Sequence, residues 1–191
     1  MFGFGKKKKA YFASKVLMTR EALDRILVNG LSTKSFMVIT FFPATRDELL
    51  KKVNDESAND LVISADKIIN GNAVPHINSF LLTGGKQLVL AERYPLKTKE
   101  IQVAEKLEAS GIPFPLDAYA ALNDALLLQA GGEKIQSLMQ KMGMTEDEII
   151  AHSMIESSIE KFQEKIASKT NYDSTAKSAA EWFRQSLPFN G

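Results

Sequence analysis

Cysteine is missing from all 191 residues, which excludes disulfides, thiolate metal sites and cysteine nucleophiles and fits a reducing compartment. Histidine is scarce as well. Only His76 and His152 are present, and neither has a metal-ligand partner three or four residues away, so no metal site is expected. A strong charge of either sign is also lacking, because 24 basic side chains face 23 acidic ones. Such a chain sets up no field that would gather phosphate-rich polymers, and nucleic acid is not an expected partner. No apolar run approaches the roughly 20 residues that span a bilayer. An integral membrane segment is therefore not expected, and a cytoplasmic location is.

What the chain does have is an ordinary globular composition, 45% hydrophobic and 25% charged, enough for one compact unit with a real core. Its first stretch, MFGFGKKKKAYFASKVLM, places a basic run before apolar residues, but Ser14 and Lys15 interrupt the apolar part and no small-residue cleavage site follows. Residues 1–14 read as a basic tail. Lys6–Lys9 could make weak contact with an anionic membrane surface, at about 1 kcal/mol per residue.

Strand and helix signals then alternate. Lys15–Met18 reads as a short strand, Thr19 as the cap of a helix carrying Leu23, Ile26 and Leu27, and Gly30 as its terminator. Ser35–Phe42 is apolar on both alternating faces, the mark of a strand buried on both sides, and Pro43 closes it. Thr45–Glu48 has the spacing of a capping box for a helix through Val53. Asp60–Ala65 and Gln87–Glu92 read as further strands, with the irregular 66–83 stretch between them expected to be loop with a short helix at most. Lys97–Ser110 places Ile101, Ala104 and Leu107 on one helical face before Gly111, and a fifth strand is expected within Leu116–Leu122.

Beyond residue 122 the pattern is helical. Ile135, Leu138, Met139 and Met142 form one stripe, and Ile155, Ile159, Phe162 and Ile166 another; both read as packing faces. Thr145–Glu148 is a second capping-box pattern, and Asp173 is the expected cap of a last helix carrying Ala176, Ala180, Phe183 and Leu187 beside Trp182. The alternation predicts an α/β fold, a mostly parallel sheet flanked by helices and followed by C-terminal helices. Its units are residues 15–122 and a helical part, 123–191, packed on them.

Little of this spells out a reaction. Gly84, Gly85 and Lys86 precede a strand, the wrong order for a phosphate cradle, and Gly131–Gly132 before a helix lack supporting cations. Glu92 and Arg93 differ, since they stand where an apolar strand ends, the place at which open α/β sheets hold ligands.

Several segments in order resemble SecA, the preprotein translocase motor ATPase, over its second nucleotide-binding domain and the start of its helical scaffold. KVLMTREALDRILVNG is similar to the opening strand and helix of that domain, and FMVITFFPATRDELLKKV to its VLVGTxSIEKSELLSxxL. GGKQLVLAERYPL resembles GGLHVIGTERHES. The most specific likeness is YAALNDALLLQAGGEKIQSLMQKMGMTEDEIIAHSMIESSIEKFQEKI, whose LM, MGM, EDE, H and M elements fall in register with the scaffold. The likeness covers roughly residues 15 to 167.

From this resemblance follow a RecA-like sheet and a link to protein export. It also implies a loss. Where the motor carries QLRGRAGR, this chain has QVAEKLEA, so Gln102 is kept while Ala104, Lys106 and Ala109 stand at the arginine positions. The TNMAGRGTDI segment expected before GGK and the first motor domain with its Walker motifs are not found. Phosphoryl transfer leans on such cations, so the resemblance implies a degenerate, stand-alone domain with no catalytic residue and no cofactor.

Two readings follow. One is a non-catalytic module that binds a protein partner, with Glu92, Arg93 and Tyr94 or the helices bearing Trp182 and Phe183 as contact surfaces if exposed. The other is a small-molecule or nucleotide-binding domain, or an enzyme, with a repurposed cleft at the strand ends; its polar contacts would be Glu92, Arg93 and Lys106, with Gln102 nearby. A third, completion of an ATPase in trans, is weakened by the missing arginines.

Overall fold

The computed structural model describes residues 10–84, 86–151, 153–170 and 172–187. Lys6–Lys9, Gly85 and His152, on which some of the expectations above fall, lie outside the described residues. Five parallel strands form one sheet: β1 (Phe12–Leu17), β2 (Phe36–Thr40), β3 (Val62–Ser64), β4 (Gln87–Leu90) and β5 (Leu116–Ala121), in the order β1-β5-β4-β2-β3. The α/β class and the RecA-like, all-parallel sheet are as expected. Strands β2 and β4 are apolar along nearly their whole length because both faces are covered.

The first helices are α1 (Arg20–Ser32) and α2 (Pro43–Val53), joined to β3 through a 3-10 turn at Glu56–Asp60; then come α3 (Ala65–Ile69), α4 (Val74–Leu81) and α5 (Lys97–Ala109). Right-handed crossovers put α1 and α2 on one face and α3 and α5 on the other, and each pair is in contact. The chain ends with α6 (Ala125–Gln129), α7 (Gly132–Lys141), α8 (Ser153–Ala167) and α9 (Ala179–Ser186). Of these, α8 leans on α5 and β1, while α9 packs on α6.

Several local expectations are corrected. β1 starts at Phe12, three residues before Lys15, because its pairing with β5 runs the full length from Phe12–Leu116 to Leu17–Ala121. Thr19 does cap α1, accepting from the Ala22 amide. Gly30 does not end that helix; it is buried within it, and a Cβ there would run into the Phe36 ring. Pro43 opens α2 rather than merely closing β2, since a first-turn proline forfeits no helical hydrogen bond. Thr45 therefore lies inside the helix and is no cap. The 66–83 stretch holds two helices, α3 and α4, separated at Asn70–Asn72, with Pro75 harmless in the first turn of α4.

In the C-terminal part, Thr145 and Glu148 do bond to each other, but they close a turn with no helix behind it. Ile150 just beyond pairs with Val16 in a single antiparallel bridge on the edge strand β1. Ser178, not Asp173, caps α9. The α8 stripe packs, with Ile159 and Ile166 buried. The α7 stripe packs only in part: Ile135 lies against the core and Met139 is half-buried, but Leu138 is 54% and Met142 67% exposed.

Candidate functional site at the carboxyl ends of the strands

Neighbouring strands β2 and β4 send their chains to opposite faces, into α2 and α5. This leaves a crevice at their carboxyl ends, the switch point at which open parallel sheets hold ligands. Glu92, two residues past β4, fills it. One carboxylate oxygen accepts from the amides of Phe41 (2.8 Å) and Phe42 (3.0 Å), and the other from the Thr45 hydroxyl (2.6 Å). The next free amide of α2, that of Ala44, donates to the Lys177 carbonyl at 3.0 Å. Pro43 has none to give. Amides at a helix start form a ready anion site, and here the chain's own groups take them. Burial pushes the Glu92 carboxyl above its ordinary value, against the pull of Thr45, the Phe42 amide and Arg20.

Arg93 turns the other way, toward α5 and α8. All five guanidinium N–H groups are placed: Nε and Nη2 on Glu100 (2.9 Å each), Nη2 and Nη1 on Glu156 (3.1 Å each), and Nη1 on the Ser14 hydroxyl (2.7 Å). Burial works to lower its pKa, but Glu100 and Glu156 outweigh burial and hold it above the usual arginine value. Glu100 also accepts from the Tyr94 amide at 2.8 Å, which ties the end of β4 to the start of α5.

Tyr94 closes the crevice. Its ring lies against Phe41 and Phe42, with Trp182 edge-on at 6.2 Å between centroids. Asp173 accepts from both the Tyr94 hydroxyl (2.5 Å) and the Trp182 indole (2.8 Å). Burial and Asp173 together push the Tyr94 phenol well above its ordinary value. Gln163 of α8 donates to the Tyr94 carbonyl at 2.7 Å, while its own side-chain oxygen is buried with no hydrogen-bond partner among the described residues.

Glu92, Arg93 and Tyr94 are thus buried, as are Trp182 and Phe183. Gln102 and Lys106 are exposed on α5, and Lys106 lies about 13 Å along the helix from its start, away from the crevice. Ala104 is buried and Ala109 exposed. Sequence reading missed Glu100, Glu156 and Asp173, whose partners lie 7, 63 and 79 residues away, and no spacing rule links such positions.

Beside the crevice a cavity of about 220 Å³ remains, lined among others by Arg20, Thr45, Glu48, Asn123, Asp124 and Ser178. Arg20 pairs with Asp24 at 2.9 Å and donates to the Ala91 carbonyl at 3.0 Å. Its guanidinium, opposed by burial but sustained by Asp124 and Asp24, is raised above the usual value. Burial raises the Asp124 carboxyl, with Arg20 pulling the other way. Among the described residues no cluster of metal-binding side chains is found.

No family model matches the chain. Among curated proteins, the protein translocase subunit SecA of Christiangramia forsetii is 37% identical over 83 residues, 44% of this chain and 7% of that protein. SecA of Ehrlichia chaffeensis is 37% identical over 90 residues, 47% of this chain and 10% of its own. SecA of Brachyspira hyodysenteriae is 29% identical over 128 residues, 66% and 13% respectively. The chain thus spans only a small part, about a tenth, of the relatives it matches. Together with the parallel sheet, these matches make the chain SecA-like over 44% to 66% of its length.

Proposed function

We propose that the chain is a non-catalytic SecA-like domain that acts as a protein-binding or regulatory module linked to protein export. One observation carries this reading: the switch-point crevice is filled from within, by the Glu92 carboxylate on the amides of Phe41 and Phe42 and by the Lys177 carbonyl on that of Ala44. The amides that would cradle a phosphate are already taken, and the Glu92 carboxyl occupies the seat. Ala104 and Ala109 on α5 supply no cation, and Lys106 points to solvent far from the crevice. Support for a protein partner comes from exposed apolar side chains in the C-terminal part, Leu138 on α7, Met142 just past its end and Met154 (70% exposed) on α8.

The test has two arms. Purified chain is expected to release no phosphate from ATP above the buffer rate and to gain no thermal stability from millimolar ATP or ADP with magnesium; turnover by the chain alone would sink the reading. Purified full-length SecA is the first partner to try, by light scattering and titration. Binding weakened at least tenfold by Leu138→Glu with Met142→Glu is expected, and binding indifferent to both changes would remove α7 as the surface.

A second reading, small-molecule binding, is favoured by the 220 Å³ cavity lined by Arg20 and Asp124. A ligand-induced rise in melting temperature that Arg20→Met abolishes would favour it over the first.

A further inference from the structure

The largest cavity described, about 480 Å³, lies on the opposite side of Arg93 from the crevice, between α5 and α8 at the start of β1. Its walls carry Glu100 and Glu105 from α5 and Glu156 and Glu160 from α8; Tyr11, Phe12 and Ile101 add apolar surface. Two cations, Arg93 and Lys97, face these four carboxylates, so two negative charges are left over. The imbalance can be traced to particular groups. Arg93 is shared by Glu100 and Glu156, Lys97 pairs with Glu160, and Glu105 has no ion pair or hydrogen bond among the described residues.

An open groove that is acidic, with aromatic and aliphatic surface, suits side chains with an apolar stem and a cationic head. Ala10 lines this groove. The residues immediately before it in the sequence are Lys6–Lys9, four positive charges on a chain of nearly zero net charge. We propose that the groove is the docking seat of this lysine run, so that the chain's own N-terminal segment occupies an acidic site between α5 and α8. Proximity makes weak contacts sufficient. A tether of a few residues gives an effective concentration on the order of millimolar, which keeps a site of roughly 0.1 mM intrinsic affinity about nine-tenths filled. The seat is independent of the crevice function proposed above and stands or falls separately.

The probe is a fluorescent peptide of residues 1–10, titrated at low salt against the full chain. Lys6–Lys9 all changed to Gln should bind it with a dissociation constant on the order of 0.1 mM, and the wild type about tenfold more weakly, because its own segment competes. Adding Glu105→Gln and Glu160→Gln, both on partly or fully exposed positions, should abolish binding while leaving the circular dichroism melt unchanged. A peptide with its lysines replaced by Gln should not bind, and about 0.5 M salt should release the wild-type peptide. Equal affinity for the wild type and the four-Gln chain would overturn the intramolecular seat. No binding to the four-Gln chain, or binding that survives Glu105→Gln with Glu160→Gln, would overturn the groove itself.

Discussion

Arg93 and Glu100 face each other in a two-pronged ion pair, 2.9 Å on each arm, with almost no exposure of either side chain. Seven residues separate them, so the pair clamps the turn from β4 into α5. A buried pair of this kind is weak evidence of net stability, since desolvating two ions consumes most of the Coulomb gain. Breaking it is another matter. Arg93→Ala is expected to cost about 3–5 kcal/mol in urea unfolding, because Glu100 stays buried without its counterion. Arg93→Ala with Glu100→Ala should cost less than the sum of the two single changes; strict additivity would mean that the two groups do not couple.

Glu92 sets a pH dependence with a definite sign. Burial raises its carboxyl above the ordinary value, so the native state holds the proton to higher pH than the unfolded chain does. Stability from this group is greatest at acid pH, falls as pH rises from about 4.3 through the native-state value, and is flat above it. Glu92→Gln removes the titration, so wild-type stability minus that of the variant should decline from pH 4 to 7. A difference that climbs instead would mean that the hydrogen bonds from Phe41, Phe42 and Thr45 outweigh burial.

Gly132 opens α7 where there is no room for a side chain. A Cβ there would overlap the Leu122 carbonyl oxygen and stand 2.9 Å from that of Leu127. Both obstacles are backbone and cannot swing aside. Gly132→Ala should therefore destabilise by about 1–3 kcal/mol, whereas Gly143→Ala, which meets open space and pays only for its positive φ, should cost about 1 kcal/mol. Thermal melts of the two variants give the comparison.

Trp182 is the only tryptophan of the chain and is fully buried, so its fluorescence reports the C-terminal closure directly. Emission should shift to the red on unfolding, in step with the loss of helix signal; an earlier shift would mean that α9 leaves before the sheet melts. Trp182→Phe loses the bond to Asp173 and is expected to cost about 1 kcal/mol plus a packing loss, and Trp182→Ala about 3–5 kcal/mol.

The sheet was legible because β2 and β4 are apolar on both faces, which only a covered parallel strand explains. Helix starts were less so. Thr45 and Glu48 have capping-box spacing, yet Pro43 begins the helix earlier and Thr45 spends its hydroxyl on Glu92. At the candidate site, Glu92 and Arg93 could be picked out as strand-end residues, but their burial could not. It depends on Ser14, Glu156 and Asp173, supplied by elements at both ends of the chain. The α7 stripe misled in part, for the converse reason: Ile135 packs as its spacing implies, but that of Leu138 and Met142 marks an apolar face without saying what covers it.

The single-residue bridge from Ile150 to Val16 occupies hydrogen-bonding groups on one margin of the sheet, and the other margin, β3, offers three residues. A foreign strand added at β1 would meet an interruption at Val16, and at β3 it would find only three residues to pair with, so both margins are poor templates for zipping on another chain.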